Sequence, residues 1–264
     1  MSEFGLNIQR DILSLKSDIL FDVFGFPVAS STAMTILIMI LIAIFSVVVV
    51  RKFTQIPGRF QAFIEIFYEE TEGLLNQITN NRSKHTQILF PIIAAMFVYL
   101  GISNLIGVIP GISEITFKGM SLFRAPTSDF STTLGLALAS VLAIQWVSIK
   151  EFGILGHLGK FFKLKEVFLG FKKSIMEGVM ALIDFFVGLL DIIGEFAKII
   201  SLALRLFGNM YAGAVLMTII FGAVAFVVPA IWVGMNIFVG VLQAMVFGAL
   251  VGAYYMLAVK EEDE

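Results

Sequence analysis

The sequence contains no cysteine among its 264 residues. Disulfides, thiolate catalysis and cysteine-ligated metals are therefore excluded. The Walker, G-x-S-x-G, H-E-x-x-H and G-x-G-x-x-G patterns are also missing, so nucleotide binding and hydrolytic chemistry have no motif in this chain. The two histidines, His85 and His157, fall in predicted loops, where a solvated surface role is favoured over metal binding. We predict no metal and no cofactor.

Charge is scarce as well, at 14% of the residues against 58% hydrophobic residues. A mean hydropathy of +0.95 then favours a polytopic membrane protein over a soluble globular one. The net charge of −2 and the scattering of Lys and Arg among loops give no basis for nucleic-acid binding. The start of the chain lacks the basic and compact apolar segments of a cleavable signal, so we expect the first span to be retained.

Uncharged runs predict three ordinary membrane spans. They cover residues 33–50, 88–110 and 131–149. Residues 1–26 mix apolar and charged side chains and are expected to form a short amphipathic helix that ends at Pro27. Residues 57–80 show apolar side chains at helical spacing among four glutamates, which predicts an amphipathic helix on the membrane surface.

The longest apolar region covers residues 174–228. As a helix it would extend about 80 Å, more than twice a bilayer core of roughly 30 Å. It must therefore tilt steeply, break or turn back. Pro229 introduces a last long helix over residues 231–259. We predict one all-α membrane domain over residues 1–264, with about five crossing helices of which the last two are long and steeply tilted.

Basic residues in short loops favour the cytoplasm and therefore indicate the orientation. The loops that follow the first and third spans hold five and six basic residues, against two in each of the other segments between spans or before them. We therefore predict that these two loops and the C-terminus are cytoplasmic. The N-terminal segment, residues 1–30, is then predicted to lie outside.

Inside the longest apolar region an ionisable residue recurs at every seventh position. The series is Glu177, Asp184, Asp191, Lys198 and Arg205. Seven residues are nearly two helical turns, so these side chains share one side of a helix, which Glu195 joins. Lys198 thus has acidic neighbours. Arg205 has none at helical spacing, and we expect its partner to come from another chain because an unpaired charge in a membrane is costly.

Ionisable groups within a membrane more often line an ion or proton path than stabilise packing. We therefore predict a path that includes Asp184, Asp191, Glu195 and Lys198. Glu177, near the end of the region, is equally consistent with a charge that reaches water. On the last helix, Asn236 and Gln243 are again seven residues apart, and the glycines there favour close helix packing.

The segment SLALRLFGNMYAG, residues 201–213, resembles the signature helix of subunit a of bacterial-type F-type (F1Fo) ATP synthases. Shorter matches follow the family's order at NLIGVIP (104–110), PTSD (126–129) and LQA (242–244). The resemblance covers residue 88 to the C-terminus, and the N-terminal third matches by topology only.

The resemblance implies a stator in the bacterial inner membrane that is not an enzyme by itself. Beside a rotating ring of c subunits it would provide two offset half-channels for protons or Na⁺ and couple ion flow to ATP synthesis. Its other partners would be the peripheral-stalk b subunits and the remaining ATP synthase subunits. Arg205 would match the family's essential arginine, which faces the ring carboxylate, and Asn209 and Gln243 match polar residues beside it.

Two positions depart from the family's pattern. Ala214 and Asn236 stand where many relatives have titratable residues of the outer half-channel, and neither can carry a proton. The outer path must then use Asn209, Asn236, Gln243, water or another acid, for which Asp129 is the nearest candidate by topology. The cytoplasmic half-channel is expected at Asp184, Asp191 and Glu195.

Two other functions also explain buried charge. A secondary transporter with a midplane ion site should show two related halves, whereas the ionisable residues here concentrate in the last two long helices. An intramembrane enzyme that used Asp184 and Asp191 would not need an unpaired arginine after its acids. The coupling ion stays open between H⁺ and Na⁺.

Overall fold

A computed structural model describes residues 19–23, 26–109, 116–117, 120–121, 124–161, 175–223 and 227–260. The described elements are, in order, β1 (Ile19–Val23), β2 (Phe26–Ala29), α1 (Ser30–Arg51), α2 (Arg59–Ile78), α3 (Ser83–Val108), β3 (Thr116–Phe117), β4 (Met120–Ser121), a 3-10 turn (Pro126–Ser128), α4 (Phe130–Phe161), α5 (Ile175–Ala223) and α6 (Val227–Lys260). Helices dominate, and the chain is an all-α polytopic membrane protein.

The N-terminal segment differs from the expected helix wherever it is described. β1 and β2 pair antiparallel, with Val23 opposite Phe26 and Asp22 opposite Pro27. The prediction of a helix over residues 1–26 is therefore wrong at residues 19–23 and 26, and residues 1–18 and 24–25 lie outside the described part. The cause is the density of Ile, Phe and Val, which favour extended structure. Pro27 is tolerated because each strand of a two-stranded sheet is an edge strand.

Four of the described helices are long and apolar enough to cross a membrane by length and composition. Their spans are Ser30–Arg51, Ser83–Val108, Phe130–Lys150 and Val228–Val259. The second span ends two residues before its predicted end, because Pro110 disfavours helical geometry at Ile109, which is extended at φ −68° and ψ 114°. Helix α4 continues past its predicted end through Gly153, whose φ of 79° kinks it and suits only glycine.

The longest apolar region forms a single helix. Helix α5 has 49 residues and is therefore about 73 Å long at 1.5 Å per residue. It ends at Ala223, and α6 begins at Val227, two residues before Pro229. Pro229 then lies in the first turn of α6, where its missing N–H removes no helical hydrogen bond. The two helices pack against each other.

The buried core is formed by side chains from each of the helices α2, α3, α4, α5 and α6. Its largest side chains include Leu75, Ile93, Leu206, Phe247 and Tyr255. Glycines bring α6 close to α3: a Cβ placed on Gly248 would lie 3.0 Å from Ile93 Cγ2, and one on Gly252 would lie 3.2 Å from Ile93 Cδ1. Close packing at the α6 glycines is thus confirmed at these positions, whereas nothing lies within 4 Å of such an atom on Gly234.

Candidate ion-translocation site

Helix α5 has one face that the described part of the chain leaves uncovered around Arg205. The exposed residues of this face include Ser201, Leu204, Asn209, Ala212 and Leu216. Leu204 keeps 51% of its surface exposed, although it lies beside Arg205 in the middle of the chain's most apolar region. Several members are small, which leaves room for another helix to approach closely.

Arg205 itself is half-buried on this face. Within the described ranges it forms neither a hydrogen bond nor an ion pair. A guanidinium at mid-membrane costs at least about 2.5 kcal/mol without a partner. The sequence predicted that Arg205 has no acidic neighbour at helical spacing, and in the described part of the folded chain Arg205 is indeed without an acidic partner.

One turn beyond Arg205, an amide pair joins α5 to α6. The Nδ2 of Asn209 donates a hydrogen bond of 2.7 Å to the Oε1 of Gln243. Gln243 is only 7% exposed, and its Nε2 is buried with no hydrogen-bond partner among the described residues. The fold thus brings Asn209 and Gln243 of the resemblance together, one turn along α5 from Arg205, and leaves the buried amide donor of Gln243 without a partner in the described ranges.

Asn236 lies at the same helix pair, one turn further along α5. Its Oδ1 is 3.2 Å from the position that a Cβ would take on Gly213. Trp232, one turn before Asn236 on α6, donates its indole N–H to the carbonyl of Gly213 at 3.4 Å. Because Gly213 has no side chain, the Asn236 amide can lie close to the backbone of α5.

Asp129 is buried at the start of α4, with 6% of its surface exposed. Its Oδ2 accepts hydrogen bonds from Ser31 Oγ at 2.7 Å and from Thr132 Oγ1 at 3.2 Å. The carboxylate therefore caps α4 and ties it to the first residues of α1. No hydrogen bond within the described ranges joins Asp129 to α5 or α6.

The residue that follows Asp129 contacts α5. The ring of Phe130 makes an edge contact with Phe207 of α5, with 5.7 Å between ring centroids. Phe207 lies two residues from both Arg205 and Asn209, so it points to the opposite side of the helix. The start of α4 thus packs against α5 on the side away from Arg205 and Asn209.

The acidic residues lie in the first half of α5. Glu195 and Lys198 form an ion pair of 2.7 Å, with their side chains 20% and 24% exposed. The Lys198 Nζ also lies 5.3 Å from the centroid of the Tyr254 ring on α6. Asp191 is half-buried and Asp184 is exposed. The predicted acidic partner of Lys198 is therefore Glu195. The negative charges of Asp184 and Asp191 are less compensated by a neighbouring cation.

Two side chains that sequence reasoning left without a role join distant helices. His85 was predicted to be solvated, and this is wrong, because α3 begins at Ser83 and buries His85 in its first turn, where Nδ1 lies 2.9 Å from the Tyr255 hydroxyl. Asn104 is fully buried and donates to the Gly240 carbonyl at 2.9 Å. In the sequence, the only indication of the contact between Asn104 and Gly240 is the polar side chain of Asn104 inside an apolar span.

The fold and the site together define a class. The chain is a polytopic membrane protein in which two long packed helices carry charged and amide side chains through an apolar region, an arrangement suited to moving small ions.

Comparison with known proteins agrees with this class. The profile of the family described as ATP synthase A chain matches residues 32–256. ATP synthase subunit a of Desulforamulus reducens is 30% identical over 264 residues, covering 96% of this chain and 88% of the relative. The subunit a of Geotalea daltonii is 33% identical over 233 residues, with 88% and 89% covered. The sodium ion specific subunit a of Propionigenium modestum is 30% identical over 237 residues, with 88% and 74% covered.

The chain therefore belongs to the ATP synthase subunit a family. Its role is that of the Fo stator in ion translocation, as a component of the complex that works with the c-ring and the other subunits. The secondary transporter and the intramembrane enzyme are not favoured.

Proposed function

We propose that Arg205 is the charge that meets the ring carboxylate and that it separates two ion paths. The observation that carries this proposal is the pairing state of Arg205, which has no anionic partner within the described ranges and lies on the uncovered face of α5. A carboxylate that arrives on a ring helix along this face supplies the missing charge. The guanidinium then favours the ionised carboxylate, which releases its bound ion.

The outer path in this proposal runs through polar side chains of α5, of α6 and of the residue that precedes α4. Its members are Asn209, Gln243, Asn236 and Asp129. Amides cannot carry a proton by titration, so they hold water along the path, and Asp129 supplies the one carboxylate. Asp129 is included because it is a buried carboxylate whose chain neighbour Phe130 packs against Phe207 of α5.

The inner path in this proposal runs along the first half of α5. Its members are Asp184, Asp191, Glu195 and Lys198. Lys198 already compensates the negative charge of Glu195, since the two side chains form an ion pair of 2.7 Å. Asp191 is the next acid before Arg205 in the sequence, and it is therefore the acid best suited to exchange an ion. Asp191 precedes Arg205 by about 21 Å of helical rise, so the two paths are offset along the membrane normal if α5 crosses it.

We also propose that the whole chain forms one membrane domain, with the N-terminus outside and α2 and the C-terminus in the cytoplasm. The basic residues support this orientation, because those that follow α1 and α4 outnumber those of the other segments. Asp184 and Asp191 then open to the cytoplasm, whereas Asp129 lies on the outer side.

Replacement of Arg205 by Ala in the intact ATP synthase tests this function. We expect ATP synthesis driven by an imposed ion gradient to be abolished while the c-ring still co-purifies. Each charge that crosses yields about 2.3 kcal/mol per 100 mV only if it must ride the ring, so membranes stripped of the catalytic head should leak ions passively. Lys at this position keeps a charge but not the planar fork, and activity should stay poor.

Leu204→Ala is the matched control, since Leu204 is the exposed neighbour of Arg205 on the same face. It should retain synthesis and show no leak. Normal gradient-driven synthesis in Arg205→Ala membranes would contradict the proposed role of the arginine.

A further inference from the structure

A groove lies between the end of α1 and the start of α2, away from α5 and α6. It has a volume of about 210 Å³, and six of its eight lining residues are apolar. The apolar members include Phe45, Val48, Phe53 and Phe60. The two polar members are Lys52 and Gln61, so no acidic side chain lines the groove.

The groove has a fixed shape because Gln61 holds the turn between the two helices. Its Nε2 donates to the Thr54 carbonyl at 2.9 Å, and its Oε1 accepts from the Thr54 N–H at 3.1 Å. The rings of Phe45 and Phe60 meet edge to face at 5.9 Å between centroids, which joins the two helices across the groove. These contacts fix the start of α2 relative to the end of α1.

Basic residues cluster where α1 ends and α2 begins, beside the groove. Lys52 lines the groove, Arg51 lies in the last turn of α1 and Arg59 begins α2, and all three are exposed. Glu65, the nearest acidic residue on α2, accepts a hydrogen bond of 2.8 Å from Gln61. The first turn of α2 has no side-chain cap, so its free N–H groups add partial positive charge in the same region.

The position of the groove indicates the medium around it. It lies where the apolar span Ser30–Arg51 ends, which is where lipid tails give way to headgroups. Phe53 is 48% exposed, Ile56 86% and Phe60 58%, exposures that suit a lipid boundary. An apolar groove with basic residues beside it is complementary to an amphiphile that has a long apolar tail and an anionic headgroup.

We propose that this groove is a binding site for an anionic phospholipid. One acyl chain lies along the apolar walls, and the phosphate lies against Lys52, Arg51 and Arg59. Arginine and lysine bind phosphate oxygens through charge-assisted hydrogen bonds, and basic clusters beside a membrane span select anionic headgroups. The site is distinct from the proposed ion path, because none of its lining residues lies on α5 or α6.

The test uses the intact ATP synthase in membranes that contain a trace of phospholipid with a photoreactive acyl chain. The headgroup is phosphatidylglycerol in one sample and phosphatidylcholine in the other. We expect the anionic lipid to label residues 45–64 several times more strongly. Removing one basic side chain should lower that preference about fivefold, the ratio that corresponds to about 1 kcal/mol per basic residue near a lipid surface.

Two variants separate the headgroup contact from the tail contact. Lys52→Gln should reduce labelling by the anionic lipid toward that of phosphatidylcholine, whereas Lys150→Gln, an exposed lysine at the end of another candidate span, should change nothing. Val48→Trp should fill the groove and reduce labelling by both lipids, with assembly checked by c-ring co-purification. Equal labelling by the two lipids in the unchanged chain, or a segment of another subunit cross-linked in place of lipid, would overturn the proposal.

Discussion

The Asn209 side chain donates a hydrogen bond of 2.7 Å to the Gln243 side chain, across the packed pair α5 and α6 and one turn beyond Arg205. This contact fixes the two helices relative to each other at the level of the isolated guanidinium. It also occupies the Oε1 acceptor of Gln243, whose buried Nε2 has no hydrogen-bond partner within the described ranges.

The amide pair should therefore behave as a unit. Asn209→Ala leaves the buried Gln243 amide without its partner, which costs about 1–3 kcal/mol, and Gln243→Ala removes the same hydrogen bond from the exposed Asn209. We expect either change to lower ATP-driven ion pumping by roughly tenfold, and the double variant to be less impaired than the product of the two single effects. If the effects of the two single variants multiply in the double variant, the hydrogen bond does not contribute to ion pumping.

Asp129→Asn should slow ion-driven ATP synthesis more than Glu177→Gln does. The amide keeps an acceptor for Ser31 but removes the charge that the proposed outer path requires. Ser31→Ala is the control for a purely structural role, because it removes the 2.7 Å hydrogen bond and leaves the carboxylate. If Ser31→Ala impairs synthesis as much as Asp129→Asn, or if Glu177→Gln is the slower variant, Asp129 does not belong to the path.

The ion pair of Glu195 and Lys198 gives an asymmetric prediction. Lys198→Met leaves a partly shielded carboxylate without its partner and should lower the amount of assembled subunit by the equivalent of about 1 kcal/mol or more. Glu195→Gln combined with Lys198→Met removes both charges and should assemble nearly normally. Quantitative blotting of membranes measures both levels, and equal losses in the two variants would contradict this expectation.

Two glycines of α3 should respond oppositely to the same substitution. A Cβ on Gly107 would lie 2.8 Å from the Ala125 Cβ and 2.6 Å from the Met210 Cε, whereas nothing lies within 4 Å of one on Gly101. Gly107→Ala should therefore cost about 1–3 kcal/mol in stability through overpacking. Gly101→Ala should be neutral or stabilising by up to about 1 kcal/mol. Thermal unfolding of the purified complex measures both, and similar midpoints would contradict the packing at Gly107.

The sequence alone was sufficient for those features that depend on local composition. Uncharged runs predicted the helices that can span a membrane, and the seven-residue spacing predicted the isolation of Arg205. The predicted membership in the ATP synthase subunit a family is confirmed. The roles of the individual path residues stay predictions.

Contacts between distant parts of the chain could not be predicted in the same way. His85 and Tyr255 are 170 residues apart, and Asn104 and Gly240 are 136 apart, so their pairing depends on how α3 and α6 pack. The β1–β2 pair was missed for a different reason. The mixture of apolar and charged residues over residues 1–26 suggested an amphipathic helix, whereas the strand preference of the Ile, Phe and Val side chains prevailed in β1 and β2.

The continuity of α5 has a mechanical consequence. Because Asp184, Asp191 and Arg205 belong to one helix of 49 residues, helical rise and rotation fix the spacing and the relative direction of their backbone positions. One residue inserted between Asp191 and Arg205 would turn the acids by about 100° around the axis relative to the arginine, so correct angular phase along this helix is as necessary as the charges themselves.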